Sequence, residues 1–112
     1  MLKVKLLDTK EVLSVYEVCY NSDTTDSNRP LFLVYKKELK KFMWIYVDCF
    51  KPYCKELFKI VKISDRRTKA NVYAVHRNIT SLMPVCYLIY KNKSWETVYA
   101  DEYEILSDRE LY

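Results

Sequence analysis

The residues best suited to acid–base or nucleophilic chemistry in this chain are a single histidine and four cysteines. His76 is the histidine, and it follows a strand-like run that ends at Val75. A catalytic histidine works beside a nucleophile or a carboxylate within hydrogen-bond reach. No Ser or Cys stands at a spacing from His76 that is typical of a known nucleophile motif. We therefore expect no catalytic residue, and a small hydrolase is the weakest of three functional hypotheses.

The cysteines do not have the spacing of a metal site. Cys49 and Cys54 are the only close pair, and a structural zinc site needs a second pair of ligands. A cytosolic chain keeps such thiols reduced. Cys86 occupies the place of Leu31 in the repeat described below, which favours a small core residue. The sequence predicts neither a metal nor any other cofactor.

Four aspartates recur in matching places of the two halves of the chain. Asp8 corresponds to Asp65, and Asp48 corresponds to Asp101. One active site needs only one copy of its residues, so recurrence favours a structural role. Each aspartate precedes a turn-like stretch, where its side chain can accept hydrogen bonds from nearby backbone amides. We expect all four to be turn or cap residues.

The chain contains no glycine. Glycine is the default residue where the backbone takes positive φ or closely approaches a ligand. The phosphate-binding P-loop, the dinucleotide-binding fingerprint and the nucleophile elbow are therefore excluded. Turns must then be made by Asn, Asp and Ser, which tolerate the left-handed region next best. The asparagines expected at turns are Asn21, Asn28, Asn78 and Asn92.

Segment 42–47, FMWIYV, carries the most suggestive pattern for binding. Strand alternation puts Phe42, Trp44 and Tyr46 on one face. The opposite face carries Met43, Ile45 and Val47, which suit the interior of a small barrel. In the second half, Val98 matches Ile45 and Ala100 matches Val47. The second half offers Trp95, Thr97 and Tyr99 on the aromatic side. Such a strip must be covered, either by the other half of the chain or by a partner protein or stacked bases.

The basic residues allow a second hypothesis. The net charge is +4, below the basicity typical of a dedicated nucleic-acid binder. The densest cluster is Lys36, Lys37, Lys40 and Lys41, interrupted by Glu38. A solvated hairpin tip is the simplest interpretation. Phosphate contact is the functional one, with bases stacking on the aromatic strip.

The sequence predicts an internal repeat, because the second half of the chain matches the first half residue by residue. Identical residues recur at an offset of 57, which falls to 55 and then to 53 after polar stretches. Loops tolerate such changes in length. The clearest pairs are Val4 and Val61, Val15 and Val72, Tyr16 and Tyr73, Asn21 and Asn78, Leu33 and Leu88, Tyr35 and Tyr90, Tyr46 and Tyr99, and Asp48 and Asp101.

Each copy is predicted to be all-β. Short runs rich in β-branched and aromatic residues alternate with polar turns. Five short strands in about 50 residues indicate a small SH3-like barrel. We expect a first repeat at 1–53, a short docked linker at 54–59, and a second repeat with a polar tail at 60–112. Because the linker carries Leu57 and Phe58, the two barrels should pack rigidly.

The frames KVKLLDT…VYEV…FLVYKK and VYAV…YLIYKN…WETVYADEYEIL resemble small SH3-like barrel proteins of unassigned function from Gram-positive bacteria and their phages. Those proteins carry one copy ending in W-x-x-V-x-A-x-x-Y-E-P. Trp95, Val98, Ala100, Tyr103 and Glu104 match this pattern. The resemblance covers nearly the whole chain, twice, and implies an accessory protein of a mobile element. It brings no catalytic residues.

These observations predict a non-enzymatic protein-interaction module that modulates a host or defence protein. The expected partner-binding residues are Phe42, Trp44, Tyr46, Trp95 and Tyr99. The alternative is a single-stranded nucleic-acid-binding barrel that uses the lysine cluster. No apolar run is long enough to span a membrane, and the first residues lack the pattern of a signal peptide. We expect the cytosol of a bacterial host, and the oligomeric state stays open.

Overall fold

The computed structural model describes residues 1–22 and 29–106, and these form antiparallel sheets without an α-helix. The prediction of an all-β fold is confirmed. Two predictions lie outside the described residues: the polar tail that follows Leu106, and the turn at Asn28. The strands are β1 (Lys3–Leu6), β2 (Val12–Ser14), β3 (Glu17–Cys19), β4 (Leu31–Lys36), β5 (Lys41–Tyr46), β6 (Phe50–Pro52), β7 (Phe58–Lys62), β8 (Asp65–Arg77), β9 (Val85–Lys91), β10 (Ser94–Tyr99) and β11 (Tyr103–Ile105). Single-turn 3-10 helices at Val47–Cys49 and Ala100–Glu102 precede β6 and β11.

The described strands form three sheets, with orders β2-β1-β6, β3-β4-β5 and β10-β9-β8-β7-β11. We call β1–β6 the first half and β7–β11 the second half. The first half has two sheets because its chain leaves the ladder between β2 and β3, whereas β8 runs through as one strand of 13 residues. Its register with β9 shifts between Val72 and Ala74. Among the described strands, these pairings do not close any sheet into a barrel, and each sheet has two edge strands.

The two halves have the same pattern of neighbours. In the first half β1 pairs with β2 and β6, and β4 lies between β3 and β5. In the second half β7 pairs with β8 and β11, and β9 lies between β8 and β10. Tyr35 lies opposite Phe42, and Tyr90 lies opposite Trp95. Tyr35 and Tyr90 therefore hold the same place in their hairpins.

The two halves share a hydrophobic core, which holds them against each other. The larger cluster of buried side chains combines first-half residues such as Val4, Phe32 and Phe50 with Leu88 and Trp95 from the second half. A smaller cluster is built by the second half alone, from Phe58, Ile60, Val72 and Ile89. β7 begins at Phe58, inside the segment predicted as a linker, and Phe58 is buried. None of the described segments is a helix that could span a bilayer.

Turns without glycine are made differently from the prediction. Asn92 does adopt positive φ, in a two-residue turn with Lys93 that joins β9 to β10. Such turns need positive φ at both positions. The other left-handed residues among those described are Lys10, Lys40 and Met83, so the expectation that Asn, Asp and Ser would supply them is wrong. Each such residue costs roughly 1–2 kcal/mol, which the surrounding sheet contacts must offset.

Candidate partner-binding surface

The outer surface of the sheet β3-β4-β5 carries a cluster of exposed aromatic side chains. We call this cluster the aromatic face, and its members are Tyr16, Tyr35, Phe42, Trp44 and Tyr46. Phe42 is 53% exposed, and Trp44 and Tyr46 are each 45% exposed. Large side chains on one face of a single sheet make an apolar patch of the kind that marks interaction sites.

Strand alternation accounts for this exposure. Phe32 and Val34 of β4 point inwards and are fully buried. Their neighbours Leu33 and Tyr35 point outwards and lie opposite Trp44 and Phe42 of β5. Residues opposite each other in a sheet share a face. The predicted assignment of faces in β5 is therefore the one observed.

Ring contacts fix part of the aromatic face. Phe42 makes an edge contact with Tyr16, with ring centroids 5.1 Å apart, and a tilted contact with Tyr35 at 5.2 Å. At the other end, the Arg29 guanidinium lies 4.6 Å from the centroid of the Tyr46 ring. Trp44 lies between these two groups along β5. The contacts hold its neighbours in place before any partner arrives, which lowers the entropic cost of binding.

Charged groups surround the aromatic face. Arg29 is ion-paired with Asp48, and its hydrogen bond to that carboxylate raises the pKa of the guanidinium. Glu17 is exposed and lies opposite Leu33, which in turn lies opposite Trp44. The rim therefore carries both signs of charge.

The lysine cluster is divided by the structure. The Lys36 ammonium donates to a Glu11 carboxylate oxygen at 3.1 Å and lies 3.9 Å from Glu38, and its side chain is only 18% exposed. The hydrogen bond to Glu11 raises the pKa of Lys36. Prediction of Lys36 as a phosphate contact is therefore not supported by its position. The exposed members are Lys37, Lys40 and Lys41, at the hairpin that leads into β5.

Trp95 was predicted to bind a partner from an aromatic strip, but the structure buries it instead of placing it on an exposed one. It is 7% exposed and enters the core of the first half. Its ring meets Phe32 edge-on at 5.3 Å, and its indole N–H donates to the Phe50 carbonyl at 3.0 Å. The first half of the chain therefore covers Trp95. Coverage by the other half was one of the two alternatives that the sequence left open for the aromatic residues.

Tyr99 is partly exposed and lies on β10, outside the sheet that carries the aromatic face. Its hydroxyl accepts a hydrogen bond from the Asn78 side-chain amide at 3.1 Å. Asn78 is 1% exposed and also bonds Ser22, donating to its hydroxyl at 2.9 Å and accepting from its backbone N–H at 3.1 Å. A parallel bridge joins Tyr20 to Asn78. The residue type of Asn78 predicts a turn and gives no sign that its side chain joins the two halves.

The predicted turn role is confirmed for Asp8, whereas Asp65 begins β8 directly after a two-residue turn and accepts from the Arg67 backbone N–H at 3.1 Å. Asp8 accepts from the Thr9 backbone N–H. Asp65 accepts from the Thr68 hydroxyl at 2.9 Å, and this bond is the main cause of its lowered pKa. Asp48 and Asp101 both lie in the 3-10 helices.

The surroundings of His76 and of three of the cysteines are as follows. His76 lies near the end of β8, with Nε2 3.4 Å from the Thr97 hydroxyl and Nδ1 3.3 Å from the Arg77 carbonyl. Cys86 is fully buried, which confirms its assignment to the core. Cys49 and Cys54 are exposed free thiols. Within the described residues no three His, Cys, Asp or Glu side chains are grouped as a metal site.

A groove of about 760 Å³ lies between β3 and β8. Its walls are mostly apolar, and the acidic and basic residues that line it are Glu17, His76 and Arg77. Among the described residues that line it there is no Ser, Thr or Cys. The hydroxyl-bearing residues among those that line it are Tyr16 and Tyr73, and the Thr97 hydroxyl lies 3.4 Å from His76 Nε2.

Burial of His76 predicts a dependence of stability on pH. Burial lowers its pKa in the folded protein, so the unfolded chain binds a proton more readily. The free energy of unfolding should then fall as the pH drops below about 6.5, and level off below the lowered pKa. Chemical unfolding between about pH 8 and pH 5 measures this change. His76→Gln should show a smaller loss, and an equal loss in both proteins would contradict the assignment.

Comparison of the chain with protein-family models, with curated proteins and with solved structures finds no match.

Proposed function

We propose that the chain is a tandem duplication of an SH3-like barrel, rigidly packed, that binds another protein through its aromatic face and catalyses no reaction. Support for the duplication comes from the shared order of neighbours in the two halves and from the single 3-10 turn before each final strand. The equivalent places of Tyr35 and Tyr90 agree with the offsets between identical residues.

The observation that carries the function is the exposure of Phe42, Trp44 and Tyr46 on a sheet whose other face is core. Holding three large aromatic side chains in water gives no benefit to folding, because burying them would stabilise the chain. Aromatic side chains dominate the energetics of protein interfaces. A partner that covers them gains this stabilisation on binding.

The charges around the aromatic face favour a protein over a nucleic acid. Lys36 and Arg29 are both engaged with carboxylates, so neither is a free cation for a phosphate. Glu17 places a negative charge near the strip, which would repel a phosphate backbone. A mixed rim around an aromatic centre is typical of protein–protein interfaces.

We also propose that the partner is a host or defence protein in the bacterial cytosol, and that the chain acts as an accessory protein of a phage or other mobile element. This part rests on the resemblance of both copies to small barrel proteins of such elements.

Replacement of Trp44 by Ala should abolish capture of the partner from a host lysate, because Trp anchors at the centre of an interface often contribute 2 kcal/mol or more. The matched control is Tyr53→Ala, since Tyr53 is 54% exposed and does not belong to the aromatic face. Quantitative mass spectrometry should find a protein retained by the wild type and by the control but lost with Trp44→Ala. Circular dichroism verifies that all three are folded. An unchanged set of captured proteins with Trp44→Ala would contradict the proposal.

Single-stranded nucleic acid is the second candidate, because Lys37, Lys40 and Lys41 are exposed at the end of β5 where Phe42 lies. If bases stack on the aromatic face, log affinity should fall linearly with log salt by roughly 0.7 per phosphate contact. Replacing the three lysines with Ala should flatten this slope. The protein-binding proposal expects binding of mixed oligonucleotides no tighter than about 10⁻⁴ M at physiological salt, and submicromolar binding would favour this second candidate.

A further inference from the structure

The sheet β3-β4-β5 has two edges with different surroundings. Just after β3, the second half meets the edge, because Tyr20 is bridged to Asn78 and its carbonyl accepts from the Ile79 N–H at 2.8 Å. At the opposite edge, β5 pairs with β4 alone among the described strands. β5 therefore presents a row of backbone groups that a further strand could bond.

The hydrogen-bonding pattern shows which residues of β5 turn their backbone to this open edge. The Val47 N–H donates to the Pro30 carbonyl at 3.3 Å, which makes this a bonded pair. Bonded and non-bonded pairs alternate along an antiparallel ladder. The Leu33 carbonyl accepts from the Tyr16 N–H instead, so its pair with Trp44 is a non-bonded one. Both observations place the N–H and C=O groups of alternate residues at the open edge: Phe42, Trp44 and Tyr46.

The residues with outward backbone groups are thus the same residues that carry the exposed aromatic side chains. Opposite residues in a bonded antiparallel pair point their side chains to the same face. A strand added antiparallel to β5 would bond Phe42, Trp44 and Tyr46 through every second residue. The side chains of those bonding residues would lie on the aromatic face and pack against its rings.

The charges indicate which end of an added strand should be acidic. Lys37, Lys40 and Lys41 are exposed at the beginning of β5. The carboxyl-terminal end of an antiparallel strand would lie beside them. We propose that the partner binds as an extended segment added antiparallel to β5, with apolar side chains at alternate positions and acidic residues towards its carboxyl-terminal end. This inference rests on the proposed function and specifies how the same surface is used.

A randomised library of nine-residue peptides, selected on the immobilised whole protein, tests the proposal. Selection against Trp44→Ala removes peptides that bind elsewhere. The expected survivors alternate apolar and polar residues, and carry Asp or Glu near the carboxyl-terminal end. Replacing Lys37, Lys40 and Lys41 with Ala should weaken them.

N-methylation then separates strand addition from any other mode. Methylating the backbone nitrogens of the apolar residues removes the donors that face β5, and should weaken binding by roughly tenfold per methyl group. Methylating the polar residues between them blocks only the donors that face away, and should change affinity less than about twofold. The two peptides carry the same kind of modification and differ only in which backbone nitrogens are methylated, so each is the control for the other.

Three results would overturn strand addition. Equal loss, or no loss, from the two methylation patterns would show that side chains alone are recognised. Failure of the library to yield a binder that requires Trp44 would leave no role for an extended peptide. Concentration-dependent dimers that disappear with Trp44→Ala would identify a second copy of the chain as the strand at this edge. In the first case Trp44→Ala would still abolish partner capture, which distinguishes failure of this inference from failure of the proposed function.

Discussion

Trp95→Ala is expected to lower the free energy of unfolding by about 3–5 kcal/mol, a large part of the stability of a small domain. The indole fills the core of the first half and meets Phe32, Tyr73 and Tyr90 edge-on. Its removal would leave a cavity between the halves and would also leave the Phe50 carbonyl without its donor. Chemical denaturation followed by far-ultraviolet circular dichroism measures the change.

The other tryptophan is the control for this prediction. Trp44 is 45% exposed and lies on the aromatic face, so Trp44→Ala should lower the free energy of unfolding by less than about 1 kcal/mol. A similar loss in both variants would contradict the different places assigned to the two side chains. Because the contrast compares one residue type in one chain, it does not depend on the absolute stability.

Asn78→Ala should cost about 2–3 kcal/mol, the second largest effect expected. The buried amide makes three hydrogen bonds, two to Ser22 and one to the Tyr99 hydroxyl. All three bonds would be lost, and the half-buried groups of Ser22 would be left without this partner. Tyr99→Phe removes only one of these bonds and should cost about 0.5–1.5 kcal/mol. Equal costs for the two variants would show that Asn78 contributes little beyond its bond to Tyr99.

Alternation along the strands was enough to predict the faces of β5. Ile45 packs against the core while Phe42 and Trp44 are exposed, because successive side chains of a strand point to opposite faces. The same local rule predicted the all-β fold. The side of a strand that carries aromatic residues could therefore be read from the chain.

The environment of each aromatic side chain could not be predicted in this way. Phe42 and Trp95 occupy matching places in their hairpins, yet one is exposed and the other is buried in the opposite half. The difference arises from how the halves pack, which involves residues far apart in sequence. The Lys36 ion pair with Glu11 has the same origin, since 25 residues separate the two side chains.

The positions of positive φ could not be predicted from the residue types either. Asn92 has the positive φ that its type favours, but Lys10, Lys40 and Met83 adopt it against their intrinsic preference. Hydrogen bonds across these turns hold the backbone there. Lys10 donates to the Leu6 carbonyl at 3.0 Å, and Met83 donates to the Thr80 carbonyl at 3.1 Å.

The central claim is that the aromatic face is open in the free protein and covered by a partner protein. Acrylamide quenching of Trp44 fluorescence tests it most directly, in a Trp95→Phe protein verified to be folded, where Trp44 is the only tryptophan. The account predicts strong quenching in the free protein, and protection of Trp44 when the captured partner is added. Trp44 that is already shielded in the free protein, or that stays equally accessible with the partner bound, would contradict it.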